Sequence, residues 1–214
     1  MLRNVYVGTI AVTGLVALLA GCGGGQQTAA TRGEQLFKTC VPCHGPDGGG
    51  SLALRTPGIA GLPDWYLRTE LRKFSTDIRG AHPDDDEGHR MRPMARTLYH
   101  PGDIEAVAGY VSSLPKVPEP RALTGNAEAG QTQFTTVCIA CHGPDGRGNI
   151  AVGAPPIAQQ SDWYLLAQLK KFKTGMRGVS PDDTTGMQMR AMSMTLQDTT
   201  AMRDVIAYIK TLEH

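Results

Sequence analysis

Apolar residues recur along this 214-residue chain at the spacing of an amphipathic helix, in matching places of its two halves. In one segment of each half they stand at i, i+4 and i+7, which predicts a helix with one apolar stripe and a basic opposite face. Asp64 and Asp162 precede these segments as candidate N-caps. The basic residues, such as Lys73 and Lys171, are expected to be solvated. The stripes are Leu67, Leu71 and Phe74, and Leu165, Leu169 and Phe172.

A second apolar stripe predicts a helix at the end of each half, and a shorter helix is predicted at each beginning. The first helices share a G-x-x-x-F spacing, at Gly33 and Phe37 and again at Gly130 and Phe134. No segment alternates apolar and polar residues convincingly, so we predict no sheet and an all-α fold class. The final stripes are Ile104, Val107, Val111 and Leu114, and Met202, Val205, Ile209 and Leu212.

The two halves are related by a constant offset of 98 residues, which is the separation of Cys40 and Cys138. The same offset carries Trp65 onto Trp163. The two halves align without a gap from Cys40 and Cys138 to the last helix of each half. A two-copy repeat of this length predicts a duplicated domain rather than a solenoid, whose units are shorter and more numerous.

The motif with the clearest chemistry is Cys-x-x-Cys-His, which occurs once in each half. It is the attachment signal of c-type haem, because two thiols one helical turn apart form thioethers to the porphyrin while the adjacent imidazole reaches the iron. Zinc ribbons place their cysteine pairs roughly 15–20 residues apart, so zinc is disfavoured. We therefore predict two covalent haem c cofactors. The residues are Cys40, Cys43 and His44, and Cys138, Cys141 and His142.

The sixth ligand of each iron decides between an electron carrier and an enzyme, because a six-coordinate iron is closed to substrates. Two methionine positions occur in both halves, Met91 with Met189 and Met94 with Met192. Thioether sulfur favours ferrous iron and raises the reduction potential. The residues alone leave open which methionine of each half binds iron. Three histidines of the first half lack counterparts in the second and are expected at the surface, namely His82, His89 and His100.

Both halves resemble class I cytochromes c, and their arrangement is similar to the di-haem cytochrome c4 group. The residues that carry the resemblance are Cys-x-x-Cys-His-Gly-x-Asp-Gly, Trp-Tyr-Leu, Lys-Phe-x-Thr-x-x-Arg-Gly and Met-Arg-x-Met, over nearly all of residues 33–214. The resemblance implies two tandem class I cytochrome c domains, each wrapped around one covalently bound haem. It also implies Met91 and Met189 as the iron ligands, with Met94 and Met192 packed beside the haems.

The resemblance further implies that a proline carbonyl accepts a hydrogen bond from each iron-binding histidine. Pro57 and Pro155 match that position. Such a bond fixes the ring orientation and raises the basicity of the ligand. The second half departs from the family pattern at Ala191, which stands where the first half has Pro93 between its two methionines.

The beginning of the chain resembles a bacterial lipoprotein signal. A basic start is followed by an uncharged apolar stretch over residues 5–20, as in an export signal. Leu19-Ala20-Gly21-Cys22 resembles a lipobox, and Cys22 is the one cysteine outside the haem motifs. We predict a signal peptide at residues 1–21, lipidation at Cys22 and a flexible tether at residues 22–32. An ordinary signal peptide and a retained transmembrane anchor are the alternatives.

The rest of the chain divides into a haem domain at residues 33–115, a Pro-rich linker at 116–126 and a second haem domain at 127–214. The prolines predict a stiff, extended linker. The formal net charge is +1 and neither half is strongly polarised, which argues against nucleic acid as a partner. The acidic run at residues 84–87 is expected to form a solvated loop.

These features predict a membrane-anchored di-haem cytochrome c, an electron carrier and not an enzyme, exported to the periplasmic (outer) side of a bacterial membrane. Its donor would be a quinol–cytochrome c oxidoreductase or a dehydrogenase, and its acceptor a terminal oxidase. One alternative is a fixed electron-transfer subunit of a membrane oxidoreductase complex. Another is a di-haem peroxidase, which needs one iron with an open position. The same candidate iron ligands occur in both halves, which argues against such a specialised iron.

Overall fold

The computed structural model describes residue 1 and residues 28–212, and the regular structure of that part is helical. The first half contains α1 (Ala29–Phe37), α2 (Val41–His44), α3 (Asp64–Ser75), α4 (Asp86–Arg96) and α5 (Asp103–Ser113). The second half contains α6 (Ala127–Gln133), a π-helical turn (Phe134–Cys138), α7 (Ile139–His142), a 3₁₀ turn (Ile150–Val152), α8 (Asp162–Thr174), α9 (Thr184–Ser193) and α10 (Thr199–Ile209). Two isolated β-bridges form no sheet among these residues, so the all-α prediction is confirmed. Within the same residues, no helix has the length and apolar character needed to cross a bilayer.

The first and last helices of each half cross at a glycine. In the first half, α1 approaches α5 so closely at Gly33 that a Cβ atom there would lie 2.2 Å from the carbonyl oxygen of Ala106. In the second half, α6 approaches α10, and a Cβ atom at Gly130 would lie 1.9 Å from the carbonyl oxygen of Asp204. The repeated glycine of the G-x-x-x-F spacing is therefore a packing requirement.

Each half has its own hydrophobic core, formed where these crossed helices meet the middle helix, α3 or α8. The apolar stripes predicted from the sequence supply three of the seven buried residues of the first core and four of the nine of the second. The buried residues of the first core are Phe37, Leu62, Tyr66, Leu67, Val107, Ala108 and Val111. Those of the second are Phe134, Ala158, Leu165, Leu166, Leu196, Met202, Val205, Ile206 and Ile209.

Helices α4 and α9 carry the paired methionines, and the apolar pattern of the sequence does not predict either helix. These helices contain few large apolar residues besides methionine, so no apolar stripe reveals them. Each is preceded by an N-cap aspartate whose carboxylate accepts a backbone hydrogen bond, Asp85 from Gly88 at 3.0 Å and Asp183 from Gly186 at 2.9 Å. Asp85 is only 2% exposed, so the expectation of a solvated acidic loop is wrong at this residue.

The two aspartates expected as N-caps of the middle helices are instead their first helical residues. Helix α3 begins at Asp64, and helix α8 begins at Asp162. The Asp162 carboxylate accepts hydrogen bonds from the backbone N–H groups of Ala122 and Leu123, each at 2.8 Å. It therefore fastens the linker to the second half rather than capping α8.

Helix α1 begins earlier than the sequence pattern suggests. The Thr28 hydroxyl accepts a hydrogen bond from the N–H of Thr31, which caps a helix starting at Ala29. The last four residues of the segment predicted as a tether are therefore helical. The predicted signal peptide and Cys22 lie outside the described residues.

The two halves pack against each other through equivalent surfaces. Lys73 of α3 forms an ion pair with Asp183 at 2.7 Å, and Lys171 of α8 forms an ion pair with Asp85. The 98-residue offset relates the two pairs, as a twofold axis relates the contacts of a symmetric dimer. The lysine side chains are only 13% and 11% exposed. The expectation that the basic faces are solvated is therefore wrong for Lys73 and Lys171.

Two arginines and one carboxylate lie at the centre of this interface. Glu70 accepts hydrogen bonds from Arg79 and, at 2.8 Å, from Arg177. Gln168, which occupies the position equivalent to Glu70, accepts one from each arginine at 3.0 Å. The guanidinium groups also lie over the rings of Phe74 and Phe172. Glu70 therefore carries the negative charge that the two arginines share.

Replacing Gly130 with Ala should destabilise the haem-loaded protein by about 1–3 kcal/mol, because the added methyl group would meet the backbone of α10. Gly109 is the matched control, since it lies on the exposed face of α5 with nothing within 4 Å of its Cβ position. Gly109→Ala should stabilise the protein by about 0.5–1 kcal/mol through helix propensity. Thermal unfolding of both variants tests this. Equal effects of the two substitutions would contradict the packing argument.

Replacing Glu70 with Gln should remove a pH-dependent part of the stability. Burial raises the pKa of Glu70, but Arg177 and Arg79 outweigh it and hold the pKa near 2, below the ordinary 4.5. Because the folded-state pKa is depressed, the stabilisation is complete above about pH 4.5 and is lost as the pH falls towards 2. At neutral pH the variant should be less stable by on the order of 3 kcal/mol.

Denaturant unfolding of the Glu70→Gln variant and the unmodified protein, followed from neutral pH to pH 2, measures this effect. The difference between the two proteins should shrink as the pH falls. Glu105→Gln is the control, because that carboxylate is 46% exposed. Parallel loss of stability in the Glu70→Gln variant and the unmodified protein would show that the charge of Glu70 contributes nothing.

Candidate functional site

Each Cys-x-x-Cys-His motif forms one short helix that presents its three functional side chains together. Cys40 precedes α2, which contains Cys43 and ends at His44, and the second half repeats this in α7. Three residues make nearly one helical turn, so both thiols of a motif lie on the same side. Cys43 and Cys141 are exposed, whereas the first cysteine of each pair is half-buried. The thiols therefore stand at the edge of the domain, where an attached ring would meet solvent.

The first cysteine of each motif is held as a neutral thiol. Burial raises the pKa of Cys40 to about 11, and the neighbouring Cys43 contributes in the same direction. Cys138 has the same shift, to about 11, from burial and from Cys141. A redox-active or metal-binding pair needs a thiolate, which these surroundings disfavour.

The two histidines have the same burial and the same hydrogen bond. His44 and His142 are each 7% exposed, and their Nδ1 atoms lie 2.9 Å from the carbonyl oxygens of Pro57 and Pro155. Burial lowers the pKa of both rings, against a smaller opposing effect of the hydrogen bond, so both rings are neutral. When Nδ1–H donates to the carbonyl, Nε2 keeps its lone pair and can bind a metal.

A cavity opens beside each histidine, and its walls fit a planar apolar group. Both cysteines of the motif line the corresponding cavity. The apolar walls of the first are formed largely by Leu62, Leu67, Leu71, Phe74, Leu98, Val107 and Val111. Those of the second are formed largely by Ile157, Leu165, Leu169, Phe172, Leu196, Val205 and Ile209.

Both repeated methionines of each half line the corresponding cavity. Met91 and Met94 line the first cavity, and Met189 and Met192 line the second. Met91 and Met189 are half-buried, whereas Met94 and Met192 are 39% and 43% exposed. The unrepeated methionines and the three histidines without counterparts are absent from the described cavity walls: Met187, Met194, His82, His89 and His100.

Each cavity is completed by the other half of the molecule, which the sequence analysis did not predict. Helix α8 contributes Trp163, Tyr164, Gln168 and Lys171 to the first cavity, and α3 contributes Trp65, Tyr66, Glu70 and Lys73 to the second. The repeated Trp-Tyr pair and the repeated basic face were the available signals. Five residues line both cavities, so the two sites share one wall: Tyr66, Glu70, Gln160, Tyr164 and Gln168.

The shared wall contains a buried polar side chain with no partner among the described residues. The Gln160 side chain is 4% exposed, and neither its amide nitrogen nor its amide oxygen makes a hydrogen bond there. The equivalent position in the first half is Leu62. A buried amide without a partner indicates a ligand that brings its own polar groups to the cavity. A porphyrin with carboxylate side chains fits such a site, as well as the cysteines, the histidines and the apolar walls.

Comparisons with known proteins agree with this geometry. A family model described as Cytochrome c matches residues 30–115 and 127–213. The thiosulfate dehydrogenase electron acceptor of Stutzerimonas stutzeri is 31% identical over 203 residues, covering 85% of this chain and 87% of the relative. Cytochrome c4 of Azotobacter vinelandii is 28% identical over 200 residues, 89% of each chain.

A solved structure shows the same architecture. The crystal structure of reduced recombinant cytochrome c4 from Pseudomonas stutzeri has a TM-score of 0.64 and 27% sequence identity, covering 85% of this chain and 97% of that one. The prediction of two tandem class I domains with two covalent haem c groups is confirmed. The chain belongs to the cytochrome c family and is a di-haem electron-transfer cytochrome.

Proposed function

We propose that this protein is a lipid-anchored di-haem electron carrier on the periplasmic side of a bacterial membrane, and not an enzyme. The observation that carries the proposal is the wall shared by the two haem cavities. Two cavities that meet at common side chains bring their redox groups close enough for electrons to pass inside one chain. When bound, the haems supply reversible one-electron chemistry, while the protein supplies ligands, burial and fixed placement.

The iron ligands in this proposal are His44 with Met91 and His142 with Met189. The neutral buried histidines, each oriented by a proline carbonyl, support the first member of each pair. The position of the half-buried methionines in the cavity walls supports the second. Sulfur ligation in an apolar cavity favours ferrous iron and so supports a high-potential carrier. Cys40 with Cys43, and Cys138 with Cys141, would form the thioethers.

The ligand sets also argue against peroxidase function. Both cavities offer two cysteines, one histidine and two methionines in equivalent places, so neither is specialised to hold an open iron position. An electron carrier uses two closed sites, since electrons pass without substrate binding to the iron.

The proposed partners are redox proteins. The thiosulfate dehydrogenase electron acceptor, to which this chain is similar over most of its length, is named for taking electrons from a dehydrogenase. This supports a dehydrogenase as the donor of this chain. A quinol–cytochrome c oxidoreductase is the alternative donor, and the proposed acceptor is a terminal oxidase. The second candidate function is a fixed electron-transfer subunit of a membrane oxidoreductase complex, which the similarity of 125 residues to an oxidase subunit, at 38% identity, supports.

Membrane attachment is proposed from the sequence, since the relevant residues lie outside the described part of the chain. The signal peptide would comprise residues 1–21, and Cys22 would carry the lipid. We retain the proposed haem domains at residues 33–115 and 127–214, joined by the linker at 116–126.

Optical spectra test the proposed ligands. The unmodified protein should show two low-spin haems that do not bind carbon monoxide. Met189→Ala should convert one of the two haems to a high-spin form that binds carbon monoxide, because an iron position is opened. Met192→Ala is the matched control and should leave both haems low-spin. The reverse result would assign the iron to Met192, and a high-spin haem in the unmodified protein would favour the peroxidase.

Cell fractionation tests the proposed anchor. Cys22→Ser should release the haem-loaded protein from membranes in soluble form, because the acyl chains would be absent. Gln26→Ala, a nearby polar substitution, is the control and should leave the protein membrane-bound. If the Cys22→Ser protein stays with the membranes, the lipoprotein hypothesis is wrong.

A further inference from the structure

Glu119, in the linker, connects the two halves at a point next to the first haem site. Its Oε1 atom accepts hydrogen bonds from the Gly58 N–H at 3.1 Å and from the Ser161 hydroxyl at 2.6 Å. Its Oε2 atom accepts one from the Trp163 indole at 3.2 Å. Gly58 and Trp163 both line the first haem cavity. The carboxylate therefore holds two parts of that cavity wall, one from each half.

A single peptide group connects Glu119 to the iron-binding histidine, His44. The Pro57 carbonyl, which accepts from His44 Nδ1 at 2.9 Å, belongs to the same peptide unit as the Gly58 N–H, which donates to Glu119. Hydrogen bonds in such a chain polarise one another, so a carboxylate on the N–H makes the carbonyl a stronger acceptor. A stronger acceptor on Nδ1–H increases the basicity of the histidine as a ligand.

Local geometry makes this contact specific to glycine. A Cβ atom at residue 58 would lie 2.6 Å from Glu119 Oε1 and 3.0 Å from the carbonyl oxygen of Gly49. A larger residue would therefore push the carboxylate away from the peptide. The hydrogen bond between Glu119 and the peptide therefore requires glycine at position 58.

The second haem site has no equivalent arrangement. His142 Nδ1 also lies 2.9 Å from a proline carbonyl, that of Pro155, but the next residue is Pro156. Proline has no N–H group, so this peptide cannot donate to a carboxylate. Both histidines thus donate to a proline carbonyl. Among the described residues, only the first of these peptides also contacts a charged group, through its N–H.

We propose that Glu119 tunes the first haem through the Pro57–Gly58 peptide, making His44 a stronger ligand than His142. Greater ligand basicity and a nearby negative charge both stabilise ferric iron. Glu119 thus lowers the reduction potential of the first haem and leaves that of the second unchanged. It is a positioning residue, since it acts on the iron through another group. The proposal rests on the ligation by His44 proposed above.

The test measures the reduction potentials of both haems in the complete haem-loaded protein. NMR contacts of each haem with Val107 or Val205, which line different cavities, identify the two groups. Glu119→Gln removes the charge and one acceptor oxygen. It should shift the distribution of a single electron towards the first haem by on the order of threefold to tenfold, with the second potential unchanged. The signal of the His44 ring N–H should move as its hydrogen bond weakens.

Two further variants separate the peptide contact from other roles of Glu119. Gly58→Pro copies the Pro-Pro pair of the second half; it removes the N–H and displaces the Glu119 carboxylate from the peptide, but the residue keeps its negative charge. It should shift the potential of the first haem in the same direction. Ser161→Ala removes a contact of Glu119 that does not lead to His44, and it should leave both potentials unchanged.

Three results would overturn the proposal. They are unchanged potentials in Glu119→Gln, equal shifts of both haems, and a shift in Glu119→Gln without one in Gly58→Pro. The last would mean that Glu119 acts through its charge alone. Failure of the ligand assignment itself is distinguishable, because it would appear as a high-spin first haem in the unmodified protein before any substitution is made.

Discussion

The reciprocal burial of charge between the two halves is the contact on which the rest of the structure depends. Lys73 and Lys171 each reach an aspartate of the opposite half, and Glu70 lies between two arginines at the centre. Buried ion pairs contribute little net stability compared with apolar packing, but breaking one is costly, so they favour a single arrangement. That arrangement brings α3 and α8 into each other's haem cavity. Each redox site therefore depends on both halves of the chain.

The sequence predicted the features that depend on local spacing and missed those that depend on how the halves meet. The haem motifs, the apolar stripes and the G-x-x-x-F crossings are each contained within a few helical turns. The pattern of α8 alone, by contrast, predicts that Lys171 is solvated. Its partner, Asp85, lies 86 positions earlier in the chain. No local pattern distinguishes such a lysine from a surface one. The repetition of the basic face in both halves was the sole hint that it had a partner.

Duplication produced an interface that is nearly symmetric, and its departures from symmetry lie beside the haems. Gln168 replaces Glu70, so within the described part of the chain the first half alone supplies a carboxylate at the centre of the interface. Gln160 replaces Leu62, which places a buried amide in the wall that both cavities share. These exchanges alter charge and polarity where the field acts on both irons. The two haems thus have similar ligands but different surroundings.

Different surroundings matter for a carrier whose two redox sites share one wall. An electron that enters such a protein redistributes between the sites, and their relative potentials decide where it resides. With identical sites it would divide its time evenly, and a partner docking at one end would find it there only half the time. A difference in potential concentrates the electron at one haem. The linker supports that difference at the first site, because Glu119 contacts Gly58 whereas the second half has a proline at the equivalent position. The linker that joins the two halves thereby also makes the reduction potentials of their haems unequal.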